Sequence, residues 1–319
     1  MATASAPTRA EWEFERVAGP FNGVADGLAW DGEALLFAVR TLPVDSVENR
    51  ILRYNPQSGE VSLFRKWTGR IKGLAFDAQG HLYGCQSSSR RMVRFNPDGS
   101  TTPMEYRLNG HFHNHPDDLA IDQKGRLWFS DPYSKVPSRG PQLQGPLDHA
   151  SVLRLEQRPD RTWTLRRMTQ DTKAPKGVAL SPDERTLYVA ESDNSPGGKR
   201  ELRRYPILDD DTLGPYTVMH AFTADARGPH RGITGMCVDR EGNVIACAGW
   251  EQSGPGPMVY VFSPEGAILE SHRVPADRPS NCAFGDPDLG TLYVTTAGGE
   301  LYRVRNSGRR GWLLYPPAR

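Results

Sequence analysis

The sequence predicts an all-β fold, a six-bladed β-propeller, on three observations. One frame recurs six times: a variable residue, a small residue, alternating apolar positions, a turn and a second apolar run. Its copies start at Asp26, Lys72, Asp117, Lys176, Thr234 and Asn281, a period of about 45 to 60 residues, as for propeller blades. Further strand pairs with turn signals such as Asn-Pro-Asp-Gly lie between the copies, so one unit holds about four strands. The composition agrees: 32 Gly and 26 Pro with only 37% apolar residues suit many short strands joined by turns.

The elements follow in order. "DGLAWDGEALLFA" from Asp26 gives the inner strand pair of the first blade, and "ILRYNPQSGEVSLFR" its outer pair. "KGLAFDAQGHLYG" from Lys72 and "MVRFNPDGSTTPMEY" make the second, "DDLAIDQKGRLWF" from Asp117 and "SVLRLEQRPDRTWTLRR" the third. "KGVALSPDERTLYV" from Lys176 with "ELRRYPILDDDTLGP" forms the fourth, and "TGMCVDREGNVIA" from Thr234 with "MVYVFSPEGAILESH" the fifth. The sixth begins "NCAFGDPDLGTLYV" at Asn281 and ends at "LYRVRNSGRRGWLLY", one strand short. The N-terminal "WEFERVAG" is expected to supply it and close the ring. One blade cannot bury both faces, whereas six in a ring bury each against its neighbours. A single domain over residues 1–319 is expected.

The innermost strand of a blade starts at the central channel, so six equivalent residues converge at its mouth. Four of the six are charged, Asp26, Lys72, Asp117 and Lys176, which packing of the repeat does not require. Asp and Asn before Gly also serve turn chemistry, but two lysines and two aspartates around one axis point to a functional polar mouth.

Thirty-nine basic and 38 acidic residues leave a net charge of +1, with no electrostatic footprint for nucleic acid or an anionic membrane. No run approaches a membrane span, and "MATASAPTRAEWEFERVAG" lacks signal-peptide order. The four cysteines, Cys85, Cys237, Cys247 and Cys282, show no CxxC spacing and read as reduced buried thiols, with a cytoplasmic location expected. There is no GxSxG, no P-loop and no nicotinamide or flavin fingerprint.

Several stretches in order, "GRLWFSDPYS", "GVALSPDERTLYVAESDN", "GMCVDREGN", "VYVFSPEGAILE" and "NCAFGDPDLGTLYVTTAG", resemble the senescence-marker-protein/gluconolactonase/luciferin-regenerating family over nearly the whole chain. In feel it is closest to the bacterial gluconolactonase branch. The resemblance implies a six-bladed propeller holding one divalent metal, calcium or zinc among them, at the channel mouth. It also implies hydrolysis of sugar lactones, or of organophosphate esters in some relatives. The family pattern places a Glu in the first blade, an Asn in "PND", an Asn in "PNG" and an Asp in "DGM". By position these fall on Asp26, Asp117, Lys176 and Thr234, and none of the four matches. Asp26 and Asp117 keep oxygen ligands for a hard cation. Thr234 removes the carboxylate expected as ligand and general base. Lys176 carries three donors and no acceptor, so it cannot ligate a metal while protonated. The expectation is therefore no metal and no other cofactor, with Lys176 and Lys72 neutralising Asp26 and Asp117; a divalent cation, calcium or zinc, is the alternative.

Other candidates flank the mouth. His111, His113 and His115 alternate in "GHFHNHPDDLA", which in an extended segment projects all three to one side. Such a set reads as a metal site, an acid/base or a solvated loop, and His115 is nearest the mouth. His230 approaches Thr234 in the same manner, and either histidine is a candidate general base. Glu191 ends a second strand and reads as a contact to substrate or as a turn carboxylate. Tyr133 opens the long insertion "SKVPSRGPQLQGPLDH", a candidate lid. Trp250 is a candidate pocket wall, and Asn281, which matches the family's Asn, a polar contact.

Three functions remain open at this point. The first is a metal-independent hydrolase of a lactone or small cyclic ester, with Lys176 and Lys72 stabilising the oxyanion and Asp26, Asp117 or a histidine activating water. The second is an isomerase, cyclase or lyase using a Schiff-base lysine. The third is a small-molecule-binding pseudoenzyme. A small molecule is the expected partner in each; the oligomeric state is left open.

Overall fold

The computed structural model describes residues 11–43, 46–104, 107–135, 145 and 147–316. It contains six four-stranded antiparallel sheets in a propeller. Blade 1 runs from Val24–Trp30 to Val61–Arg65, blade 2 from Ile71–Phe76 to Thr101–Pro103, and blade 3 from Leu119–Ile121 to Trp163–Arg167. Blade 4 runs from Pro175–Leu180 to Thr217–Ala221 and blade 5 from Ile233–Val238 to Ile268–Arg273. In blade 6 the inner three strands are Pro279–Gly285, Thr291–Thr296 and Leu301–Val304, and the outermost is Glu15–Ala18 from the N-terminus. Among the described residues no helix is long and apolar enough to cross a membrane.

The burial pattern follows from position in the blade. Second strands such as Leu127–Asp131 and Val244–Ala248 are buried along their whole length, because both faces meet a neighbouring blade. Outer strands such as Val61–Arg65 are partly exposed. The ring closes as the sequence predicts: Glu15 pairs in register with Arg303, and their side chains form an ion pair of 2.7 Å. Trp12, ahead of the closing strand, stacks on His272 of blade 5 at 4.1 Å and 7°.

At the end of the ring away from the mouth, the turn after the inner strand is held in blades 1, 2, 3 and 5 by the repeat's own carboxylate. Asp31 accepts the N–H groups of Glu33 (2.9 Å) and Ala34 (2.7 Å), and Asp77 those of Gln79 (2.9 Å) and His81 (2.8 Å). Asp239 does the same for Asn243 at 2.8 Å. Asp122 accepts from the Arg126 backbone, the Arg126 guanidinium and the Trp128 indole, at 2.9, 2.6 and 2.9 Å. Asp122 and Trp128 are both buried. Asp122→Ala leaves these donors without their acceptor and should destabilise the chain by about 3 kcal/mol or more. Urea denaturation followed by tryptophan fluorescence measures it; a loss below 1 kcal/mol, the scale of an exposed pair, contradicts this account.

Candidate active site at the channel mouth

The frame residues reach the axis through a backbone irregularity. In five blades the pairing of first and second strands slips where the frame begins: Asp26/Leu28, Ile71/Leu74, Pro175/Val178, Ile233/Gly235 and Pro279/Asn281. A bulge re-aims the side chain that precedes it, here toward the channel. The small residue is demanded by crowding. A Cβ on Gly27, where φ is +43°, would sit 1.8 Å from the Lys72 carbonyl oxygen, and one on Gly235 would sit 2.4 Å from the Asn281 side chain.

The mouth is a ring of paired and unpaired charges. Arg40, ending the second strand of blade 1, grips Asp26 through Nε (3.2 Å) and Nη2 (2.9 Å). Lys72 is hydrogen-bonded to Asp117. Burial opposes ionisation of Asp117, but Lys72, Lys176 and Arg40 hold it below the usual carboxylate range. The Lys176 ammonium has no hydrogen bond or ion pair among the described residues. Burial, then Arg231, Lys72 and Arg40, push it down to about 8 against the pull of Asp117. The expected pairing is corrected in part: Lys72 does pair with Asp117, but Arg40 rather than Lys176 pairs with Asp26, and Lys176 acts on Asp117 by charge alone, with no ion pair among the described residues.

Asp118 was hidden by the repeat. It occupies the position of the small residue that is Gly in four other copies and Cys282 in the last. Gly73, beside it, leaves the space: a Cβ there would lie 3.0 Å from Asp118 Oδ1. The carboxyl accepts the Val178 N–H (3.3 Å) and, from the opposite blade, Asn281 Nδ2 (3.4 Å). This link crosses the axis and makes a floor to the mouth. Burial, with Asp117 and Asp26 nearby, pushes Asp118 well above the carboxylate range. Beyond it lies an apolar cavity of about 150 Å³, lined by residues such as Leu28, Leu74 and Met236 and bounded at its far end by residues 312–315.

The remaining candidates separate. His115 lies beside the Lys72–Asp117 pair, and burial, Lys72 and Arg90 push it down to about 4, so it is neutral at pH 7. The three histidines do not share a side: His111 is exposed, while His113 is fully buried against Phe129. The strand is only His111–Phe112, and the chain then bends at Asn114, whose N–H is held by Asp131 at 2.7 Å. His230 is buried and stacked on Phe222 at 4.3 Å, its Nδ1 accepting the Gly232 N–H at 3.0 Å. Glu191 is spent on the N–H groups of Lys173 (3.0 Å) and Ala174 (2.7 Å), with Arg203 at 3.6 Å. Trp250 donates to Ser253 Oγ at 2.9 Å. Tyr133 is 51% exposed and donates to the Leu147 carbonyl at 2.8 Å. Of the candidate lid segment that follows Tyr133, residues 136–144 and 146 lie outside the described residues. Thr234 sits in the ring, next to Gly235 and its close neighbour Asn281.

A model of the SMP-30/gluconolactonase/LRE-like region matches residues 24–298, nearly the whole ring. The chain belongs to that family. Over 91% of its length it is 26% identical to a gluconolactonase of Zymomonas mobilis, covering 82% of that protein. It is also 26% identical to a 6-deoxy-6-sulfogluconolactonase of Pseudomonas putida, with 83% of each chain aligned. A solved gluconolactonase from Xanthomonas campestris superposes with a TM-score of 0.71 at 29% identity, covering 92% of this chain and 89% of the other.

The metal that the family resemblance implies finds a poor donor set here. Of its four positions, Asp26 is clasped by Arg40 and Asp117 by Lys72, Lys176 offers donors only, and Thr234 a neutral hydroxyl. A hard divalent cation takes six or more oxygens, usually several of them carboxylate. This SMP-30/gluconolactonase-family mouth presents it with competing cations instead.

Proposed function

We propose that this chain hydrolyses a lactone or similar small cyclic ester at the channel mouth, and does so without the family's divalent metal. The lactonase names of its relatives support the hydrolytic reading. The observation that carries the metal-free version is the unpaired Lys176 ammonium at a family ligand position, inside a ring whose carboxylates already have partners.

In this mechanism the lactone carbonyl oxygen faces Lys176, whose charge stabilises the oxyanion as it forms. Water attacks the carbonyl carbon while Asp117, held in place by Lys72, accepts its proton; His115 is the neighbouring alternative base. Collapse of the tetrahedral intermediate breaks the ring C–O bond, and the proton passes to the departing ring oxygen, giving the open hydroxy acid. The Asp118–Asn281 floor confines the reaction to the mouth.

The test is turnover of a panel of aldonolactones with and without EDTA, together with metal analysis of the purified chain. Activity should survive chelation, and the wild type should carry no stoichiometric divalent ion. Lys176→Asn should gain divalent affinity. A tightly held ion whose removal abolishes activity overturns the metal-free reading.

The depressed Lys176 also favours one second reading, a Schiff base with a carbonyl substrate. Borohydride trapping with mass mapping to Lys176 distinguishes it: an adduct supports imine chemistry, and its absence with carbonyl ligands removes it.

A further inference from the structure

Arg231 lies two residues ahead of the inner strand of blade 5, at the mouth end of that blade. Its Nη1 is buried without a hydrogen-bond partner, and the guanidinium has no ion pair among the described residues. The two carboxylates whose charge reaches it, Asp26 and Asp277, are already engaged. Arg40 holds the first at 2.9 Å and Arg278 the second at 3.2 Å. The charge of Arg231 also reaches Lys176, which has no ion pair among the described residues either. Among the described residues the mouth therefore holds three matched pairs, Arg40–Asp26, Lys72–Asp117 and Arg278–Asp277, while the Lys176 and Arg231 side chains have neither an ion pair nor a hydrogen bond. Two neighbouring, partly desolvated like charges repel, and an uncompensated buried charge destabilises the fold. A protein keeps such a pair where an anion completes it.

We infer that the mouth is an oxyanion subsite and that the substrate is an anionic lactone, one bearing a carboxylate, phosphate or sulfonate outside the ring. The planar guanidinium of Arg231 takes two oxygens of that group as a fork, leaving Lys176 for the lactone carbonyl. The substrate class rests on the hydrolytic reading above; the anion subsite itself does not.

Two measurements separate them. The first is binding of inorganic phosphate and sulfate to the intact chain by calorimetry, for wild type, Arg231→Gln and Arg231→Lys. Wild type should bind, Arg231→Gln should bind at least tenfold more weakly, and Arg231→Lys, which keeps charge but not the fork, should fall between. The second compares kcat/KM for glucono-1,5-lactone with that for 6-phosphoglucono-1,5-lactone, 6-deoxy-6-sulfoglucono-1,5-lactone and glucaro-1,4-lactone. The anionic-to-neutral ratio should exceed ten in wild type and drop at least tenfold in Arg231→Gln; the three anionic arms show which oxyanion fits. Anion binding that depends on Arg231 with no lactone turned over keeps the subsite and rejects the hydrolase. Turnover with no anionic preference and no Arg231-dependent anion binding keeps the hydrolase and rejects the subsite.

Discussion

Lys176→Met should lower kcat for lactone hydrolysis by about 10²- to 10³-fold, the loss found when one oxyanion donor is removed. Methionine keeps the length and the apolar stem, and the three N–H donors go. Lys176→Arg restores charge with a different shape and should recover part of the loss. The pH profile gives an independent signature. The ammonium is the stabilising form, and its proton leaves near pH 8, so kcat should fall as pH rises through about 8. Unfolding has the opposite sign over that range. Lys176 binds its proton more weakly folded than unfolded, so this group's contribution to stability increases between about pH 8 and 10.5. Alkaline loss of activity without loss of structure, absent from Lys176→Met, fits the assigned role. A Lys176→Met enzyme with wild-type kcat at pH 7 removes it.

Trp12→Ala should destabilise the protein by about 3–5 kcal/mol, the range for removing a buried tryptophan. Trp12 is only 5% exposed and packs among residues of blades 5, 6 and 1, stacked on His272. It anchors the segment that supplies blade 6 with its outer strand, so its loss loosens the one place where the ring is closed by hydrogen bonds rather than by chain continuity. Urea unfolding should show the drop in midpoint, and hydrogen exchange should show Leu301–Val304 amides exposed first. Uniform exchange across all six blades, or a change under 1 kcal/mol, argues against closure through this segment.

The blades were legible because repetition multiplies a weak local signal. "AWD", "AFD" and "AID" recur with a fixed relation to the next strand, and Asp31, Asp77 and Asp122 all hold the turn that this spacing implies. The mouth was legible for the same reason, since equivalent residues in a ring converge whatever their identity. Reading by equivalence also hid things. Asp118 was counted as the frame's small residue, though an acid among four glycines and a cysteine was the available signal. Arg40 and Arg231 fall outside the frame, one ending a second strand and the other in a connection, so no repeat marks them. The histidines misled because alternation assumes an extended chain, and the segment bends at Asn114.

By itself, then, the sequence determined the ring and its closure, because these depend on periodicity and on chain order. Who pairs with whom was decided only by the tertiary structure. Ion pairing depends on distances of a few ångströms between residues from different blades, and Arg40, not Lys176, comes within reach of Asp26. Packing thereby made the expected substitute for the metal a desolvated cation without an ion pair among the described residues, and left Arg231, whose charge reaches it, likewise without one.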